Sequence, residues 1–179
     1  GRSSHKKSTV RGAGIIFPIA IMLWGLLSDH SDWNFIGAVL LLGIIGFLDD
    51  RYSLSQLSRL FIQSIGVFII LIELDVVTLS YLYAIIVFIL LTGWLNTFNF
   101  MDGINGISAM YAVAILIAVY AFKDFIPQIP YSLLNTVLIS LLLFGLVNVR
   151  KNALAFAGDV GSLSLGLILA YLVTSLIIT

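Results

Sequence analysis

Seven blocks of about 16–18 mainly apolar residues, joined by short polar connections, restrict this chain more than any other feature: 12–28, 33–48, 57–74, 79–95, 107–122, 133–149 and 163–179. A hydrocarbon core about 30 Å thick takes roughly 20 helical residues at 1.5 Å each, so every block approaches the length of one crossing. Hydrophobic residues make up 60% of the chain and charged ones 10%, whereas soluble domains average roughly 45–50% and 25%. No soluble core absorbs that much apolar surface. The sequence therefore predicts an all-α, polytopic transmembrane helix bundle with seven spans, forming a single integral-membrane domain over 1–179. The third span is the weakest, because Arg59, Gln63 and Ser64 interrupt it. A net charge of zero gives no reason to expect nucleic-acid binding, and without cysteine there is no disulfide framework. The first block lacks the small-residue cleavage site of a signal peptide. The chain opens at Gly1 on a basic loop and stops at Thr179 inside an apolar run, and so reads as a fragment truncated at both ends.

Orientation follows from the basic residues, which accumulate in cytoplasmic loops. With seven spans, Arg2, Lys6, Lys7, Arg11, Arg51, Arg59, Arg150 and Lys151 fall on one side and only Lys123 on the other. That segregation predicts a cytoplasmic N-terminus, and adding or removing an internal span would scramble it. Asp29, Asp32, Glu73, Asp75 and Asp124 belong to the opposite side. The cytoplasmic face keeps Asp49, Asp50, Asp102 and Asp159, each among glycines or asparagines.

These four define the candidate site. Asp49 and Asp50 end the second span, where the helix dipole is already negative. Adjacent acids there call for a cation, whether Arg51, Arg59 or a bound metal ion, although an Arg-paired solvated loop fits the pair equally. In Asn96-Thr97-Phe98-Asn99-Phe100-Met101-Asp102-Gly103-Ile104-Asn105-Gly106, polar residues recur every third position. If helical, Asn96, Asn99, Asp102 and Asn105 share one stripe, suited to phosphate oxygens and sugar hydroxyls. Asp-Gly and Asn-Gly are also strong turn signals, which accounts for 102–106 but not for Asn96 and Asn99. Asn148, at the end of the sixth span, joins the binding candidates. Gly158-Asp159-Val160-Gly161-Ser162 leads into the last span at its N-terminus, a place for an anion, for a phosphate with its metal, or for a plain N-cap from Asp159 or Ser162. Carboxylates, asparagines and basic groups converging on one membrane face are the mixture that diphosphate chemistry needs.

At four ordered stretches the chain resembles the polyprenyl-phosphate N-acetylhexosamine-1-phosphate transferases, also called glycosyltransferase family 4, which include phospho-MurNAc-pentapeptide transferase. The stretches are Arg2-Ser3-Ser4-His5-Lys6-Lys7-Ser8-Thr9-Val10-Arg11-Gly12-Ala13-Gly14, Gly46-Phe47-Leu48-Asp49-Asp50-Arg51, 96–106 and 158–162. The resemblance implies transfer of a sugar 1-phosphate from a UDP-N-acetylhexosamine to a polyprenyl phosphate, such as undecaprenyl phosphate, with release of UMP. It implies Mg²⁺, with Mn²⁺ as a substitute, bound by Asp159, and catalytic roles for Asp49, Asp50, Asp102 and Asp159. Asp49 and Asp50 would handle the acceptor phosphate, and Asn99 and Asp102 the nucleotide. His5, Arg11, Asn96, Asn105, Asn148 and Ser162 complete the substrate-binding set. The expected setting is the inner (plasma) membrane with the site on the cytoplasmic face; a homodimer is left open. Three departures stand out. Ser8 and Val10 replace the family's prolines and Ala13 a glycine. Ser53 stands where relatives carry an acid or a lysine, which argues for envelope-polysaccharide initiation, as in O-antigen, over peptidoglycan synthesis. The family's late His-rich motif is missing, His5 and His30 being the only histidines. A transporter or channel is the rival class, and it predicts acids near the bilayer midplane rather than at span ends.

Overall fold

The computed structural model describes residues 11–29, 32–150 and 153–178, and within them the chain is helical with no strand. A 3₁₀ turn, Ala13–Ile15, leads into α1 (Ile16–Leu27). Then follow α2 (Trp33–Tyr52), α3 (Gln56–Glu73), the single turn α4 (Val76–Leu79) and α5 (Tyr81–Met101). The series ends with α6 (Ile107–Ala121), α7 (Tyr131–Asn148) and α8 (Gly158–Ile177). Five helices, α2, α3, α5, α7 and α8, are long and apolar enough to cross a membrane, while Ala13–Leu27 and Ile107–Ala121 are shorter apolar helices. The polar residues of the third block do not break it: α3 is continuous from Gln56, capped by Ser55, whose hydroxyl accepts the Ser58 N–H at 3.1 Å.

The central helix is α8. Sixteen of its 20 residues are buried, Ser162, Ser164, Thr174 and Ser175 among them, as expected of a helix surrounded by other helices. Along α2 it runs antiparallel: Asp50, near one end of α2, meets Val160, while Phe35, near the other, stacks on Tyr171 at 4.3 Å. The Tyr171 hydroxyl also donates to Asp32 Oδ2 at 3.2 Å. From α5, Trp94 donates to the Gly166 carbonyl at 2.9 Å. Outward faces remain apolar and exposed, for example Leu82, Ile86 and Ile89 on α5 and Leu142 and Leu146 on α7. Between helices in a bilayer no hydrophobic force operates, so close packing at small residues has to hold them together. It does so around α8. A Cβ on Gly14 would strike the Gly161 backbone, and a Cβ on Gly46 would strike the carbonyl of Asp159 and Cα of Val160.

Helix ends depart from the apolar blocks in a way that matters for the site. α2 runs through Asp49 and Asp50, α5 runs on to Met101, and α8 begins at Gly158 instead of near 163. The polar motifs therefore sit on the last or first turns of helices. Apolar content marks where lipid begins, whereas a helix continues as long as its terminal N–H and C=O groups find partners.

Candidate active site

Three helix ends bring the four aspartates together. α2 and α5 arrive with their C-termini, α8 with its N-terminus. At the end of α2, Ser53 takes a left-handed conformation (φ 51°) and its N–H returns to the Asp49 carbonyl at 2.9 Å. The turn points the Asp49 side chain inward, 6% exposed, and directs the Leu54 N–H onto its Oδ1 at 2.6 Å. Arg59, one turn into α3, places a guanidinium nitrogen 3.0 Å from Asp49 Oδ2. No N–H of that guanidinium is aimed along the contact, and Oδ2 is a buried oxygen without a hydrogen-bond partner.

The Asp159 carboxyl comes within hydrogen-bonding range of Asp49, with the charges of Asp50 and Arg59 also close. Two carboxylates at that range have no proton to share unless one is protonated, and one arginine does not neutralise three acids. Asp50 is the exposed member and accepts the Val160 N–H on Oδ2 at 3.3 Å. Facing pairs of this kind suit a hard cation, since Mg²⁺ uses one or two carboxylates and completes its shell with water and substrate oxygens. Among the described residues no group of three or more His, Cys, Asp or Glu side chains is arranged to hold a metal ion. An ion placed here would have two facing carboxylates and would need the rest of its shell from water or a substrate.

Asp102 is placed otherwise. Its Oδ2 accepts the Gly158 N–H at 2.9 Å, and its Oδ1 accepts the Ala157 N–H at 3.4 Å and the Ser108 hydroxyl at 3.1 Å. Burial pushes the Asp102 carboxyl above the ordinary aspartate range, and the hydrogen bonds from Gly158, Ser108 and Ala157 pull part of the way back. Asp50 and Asp102 together thus cap α8. The cap expected from Asp159 or Ser162 comes from other helices, and the Ser162 hydroxyl donates to Asn99 Oδ1 at 3.0 Å.

The asparagine stripe is helical only as far as Met101; positive φ at Gly103 (115°) and Gly106 (77°) then turns the chain into α6. Helix and turn both occur, each over its own half of the motif, so Asp102 and Asn105 do not continue the helical stripe of Asn96 and Asn99. Asn96 donates to the Thr92 carbonyl of its own helix at 3.0 Å, and Asn105 to the Arg150 carbonyl at 3.3 Å. Asn148, 1% exposed, braces the turns from behind: its Oδ1 accepts the Gly106 N–H and its amide donates to the Ala155 carbonyl, both at 3.1 Å. Arg11 is exposed and precedes Gly12, whose backbone lies against Gly158. His5 lies outside the described residues, as do His30 and Lys151.

Arg59 belongs with the site although it is absent from the candidate set of side chains. Of the two arginines offered as partners for the Asp pair, Arg51 instead lies over the Tyr52 ring at 5.7 Å. Arg59→Gln is accordingly expected to lower thermal stability by about 2–3 kcal/mol, since it leaves a buried carboxylate without its cation. Arg51→Gln, which loses only an exposed cation–π contact, is expected to cost about 0.5–1 kcal/mol. Thermal unfolding of both variants in the same detergent checks the order.

A family model described as Glycosyl transferase family 4 matches residues 32–177, which hold all four aspartates. The chain belongs to glycosyl transferase family 4. It is similar to the phospho-N-acetylmuramoyl-pentapeptide-transferase of Fervidobacterium nodosum, at 28% identity over 98% of this chain and 61% of the relative. Proteins of the same name from Streptococcus agalactiae (30% identity, 92% of this chain, 59% of the relative) and Streptococcus gordonii (33%, 87% and 54%) are also similar. The chain thus spans a little over half the length of these family 4 relatives. Its carboxylate cluster lies wholly within the matched stretch.

Proposed function

We propose that the full-length protein transfers a sugar 1-phosphate from a UDP-sugar to a polyprenyl phosphate, at the end of the bundle where Asp49, Asp50 and Asp159 converge. The observation that carries this reading is the facing Asp49–Asp159 pair, whose buried Asp49 Oδ2 takes no hydrogen bond and has its charge met by Arg59, at a helix end and not at mid-span. A transporter would keep such acids near the middle of the membrane. The excess of basic residues on this side supports a cytoplasmic site in the inner membrane, where a UDP-sugar is at hand. The lipid-facing bundle suits an acceptor whose chain never leaves the bilayer.

In the proposed step an oxygen of the acceptor phosphate attacks the β-phosphorus of the UDP-sugar. The new phosphorus–oxygen bond forms as the bond from the β-phosphorus to the bridging oxygen breaks, and UMP leaves with that oxygen. Mg²⁺, with Mn²⁺ as a substitute, would be held by Asp159 together with Asp49 Oδ2, which takes no hydrogen bond although Arg59 is ion-paired to it, and would supply charge neutralisation across the diphosphate. The acceptor needs no strong base, because a phosphate monoester with a second pKa of about 6 is already largely ionised near neutral pH. Positioning is the larger demand. Buried Asp49 and its Arg59 fix one side of the ion site, and exposed Asp50 adds to the negative field that attracts the cation.

The first choice of donor is a UDP-N-acetylhexosamine, as in O-antigen initiation, supported by Ser53 after the Asp pair. A second reading, UDP-N-acetylmuramoyl-pentapeptide, is favoured by the similar phospho-N-acetylmuramoyl-pentapeptide-transferases. Incubation of the full-length protein with Mg²⁺, undecaprenyl phosphate and a panel of UDP-sugars, followed by mass spectrometry of the extracted lipid, separates them. Lipid diphosphate carrying one sugar is expected from one donor class. No lipid product from any donor would refute the reading.

A further inference from the structure

The geometry points to Asp102 as a positioning residue that acts on the reaction through the first turn of α8, not through contact with the nucleotide. This rests on the reading of the site as a transferase centre. An aspartate carboxylate offers about four acceptor positions, and three of those on Asp102 are taken by the Ala157 N–H, the Gly158 N–H and the Ser108 hydroxyl. The two N–H groups belong to the start of α8, where no intrahelical acceptor exists and negative charge is favoured. A nucleotide hydroxyl would have to strip that cap to gain more than one of these positions.

The same backbone is held on its other sides. The Ala157 carbonyl accepts the Gly14 N–H at 3.0 Å, and a Cβ on Gly158 would lie 2.6 Å from Asp50 Oδ2 and 2.8 Å from the Gly12 nitrogen. Ser108, 1% exposed, ties Asp102 to α6. Asp159 is the next residue along. Any slip of Gly158 therefore moves the Asp159 carboxyl relative to Asp49 on α2, so the α5–α6 turn sets the ion site from a distance. Ser108 becomes part of that device, which explains a buried hydroxyl aimed at a carboxylate.

The test uses full-length protein in nanodiscs and two readouts. First, hydrogen exchange by mass spectrometry is followed across 153–162 without substrate. Asp102→Ala is expected to speed exchange at the start of α8 by roughly tenfold or more, and Asp102→Asn and Ser108→Ala by less. Second, kcat is expected to fall with KM for the UDP-sugar within about twofold of wild type, and Asp102→Asn to recover part of the loss. Unchanged exchange in Asp102→Ala overturns the proposal, as does a raised KM with kcat intact. If Asp102→Ala does not fold, Ser108→Ala decides on the same readouts, and wild-type exchange there overturns the proposal. A wild-type protein that transfers nothing while the variants exchange faster would refute the transferase reading and leave the Asp102–α8 link standing.

Discussion

Replacing Asp159 by asparagine is expected to cut transfer by about 10²–10³-fold while raising the thermal midpoint of the metal-free protein. The two effects have one cause. Asp159 faces Asp49 and lies near Asp50, and among the described residues Arg59 is the one cation ion-paired to this group of acids. Removing one negative charge relieves repulsion in the empty site, and at the same time deletes the ligand proposed for the ion. The amide keeps the size and hydrogen-bonding reach of the side chain, so the first turn of α8 and its caps from Asp50 and Asp102 survive. Kinetics at several Mg²⁺ concentrations, together with unfolding in EDTA, check both arms. Normal activity with normal Mg²⁺ dependence would remove Asp159 from the metal role, and a lowered midpoint would mean that it is structural.

The second large effect is expected from Gly46→Ala. The added methyl would overlap the carbonyl of Asp159 and Cα of Val160, both backbone, so neither can swing aside as a side chain would. α2 and α8 must separate, and Asp49 and Asp50 move away from Asp159. Misplacement of about 1 Å is enough to cost on the order of 10²-fold in rate, and overpacking costs about 1–3 kcal/mol. Gly37→Ala on the same helix serves as the control. Nothing lies within 4 Å of a Cβ there, so the change is expected to be neutral or to stabilise by up to about 1 kcal/mol, as alanine does over glycine inside a helix. Equal rates for the two variants would show that the α2–α8 contact does not set the site.

Much of this arrangement is legible in the residues themselves. Block length gives the helices, and the segregation of acids brings Asp49, Asp50, Asp102 and Asp159 to one end, where the fold places them. What periodicity does not carry is which side chain serves which helix. Asp50 and Val160 are 110 positions apart and Asp102 and Gly158 are 56 apart, and nothing local distinguishes a carboxylate that binds a ligand from one that caps a distant helix. Asn148 reads as a polar residue at a span end, yet it is fully enclosed between the α6 turn and the 153–157 segment. Arg51 and Arg59 look interchangeable as partners for the Asp pair. The left-handed Ser53 selects Arg59, because it turns the following chain back so that Leu54 and the first turn of α3 meet Asp49. Gly46 reads only as the first residue of the Asp-pair motif, and its packing role shows once α8 lies against it.

The most direct test follows the β-phosphorus. Full-length protein is given undecaprenyl phosphate, Mg²⁺ and a UDP-sugar carrying ³²P only at the β position, and the lipid and water-soluble products are separated. Transfer of a sugar 1-phosphate predicts that all transferred label enters the lipid and that unlabelled UMP appears in equal amount. Label leaving as UDP, with sugar alone on the lipid, would contradict the account.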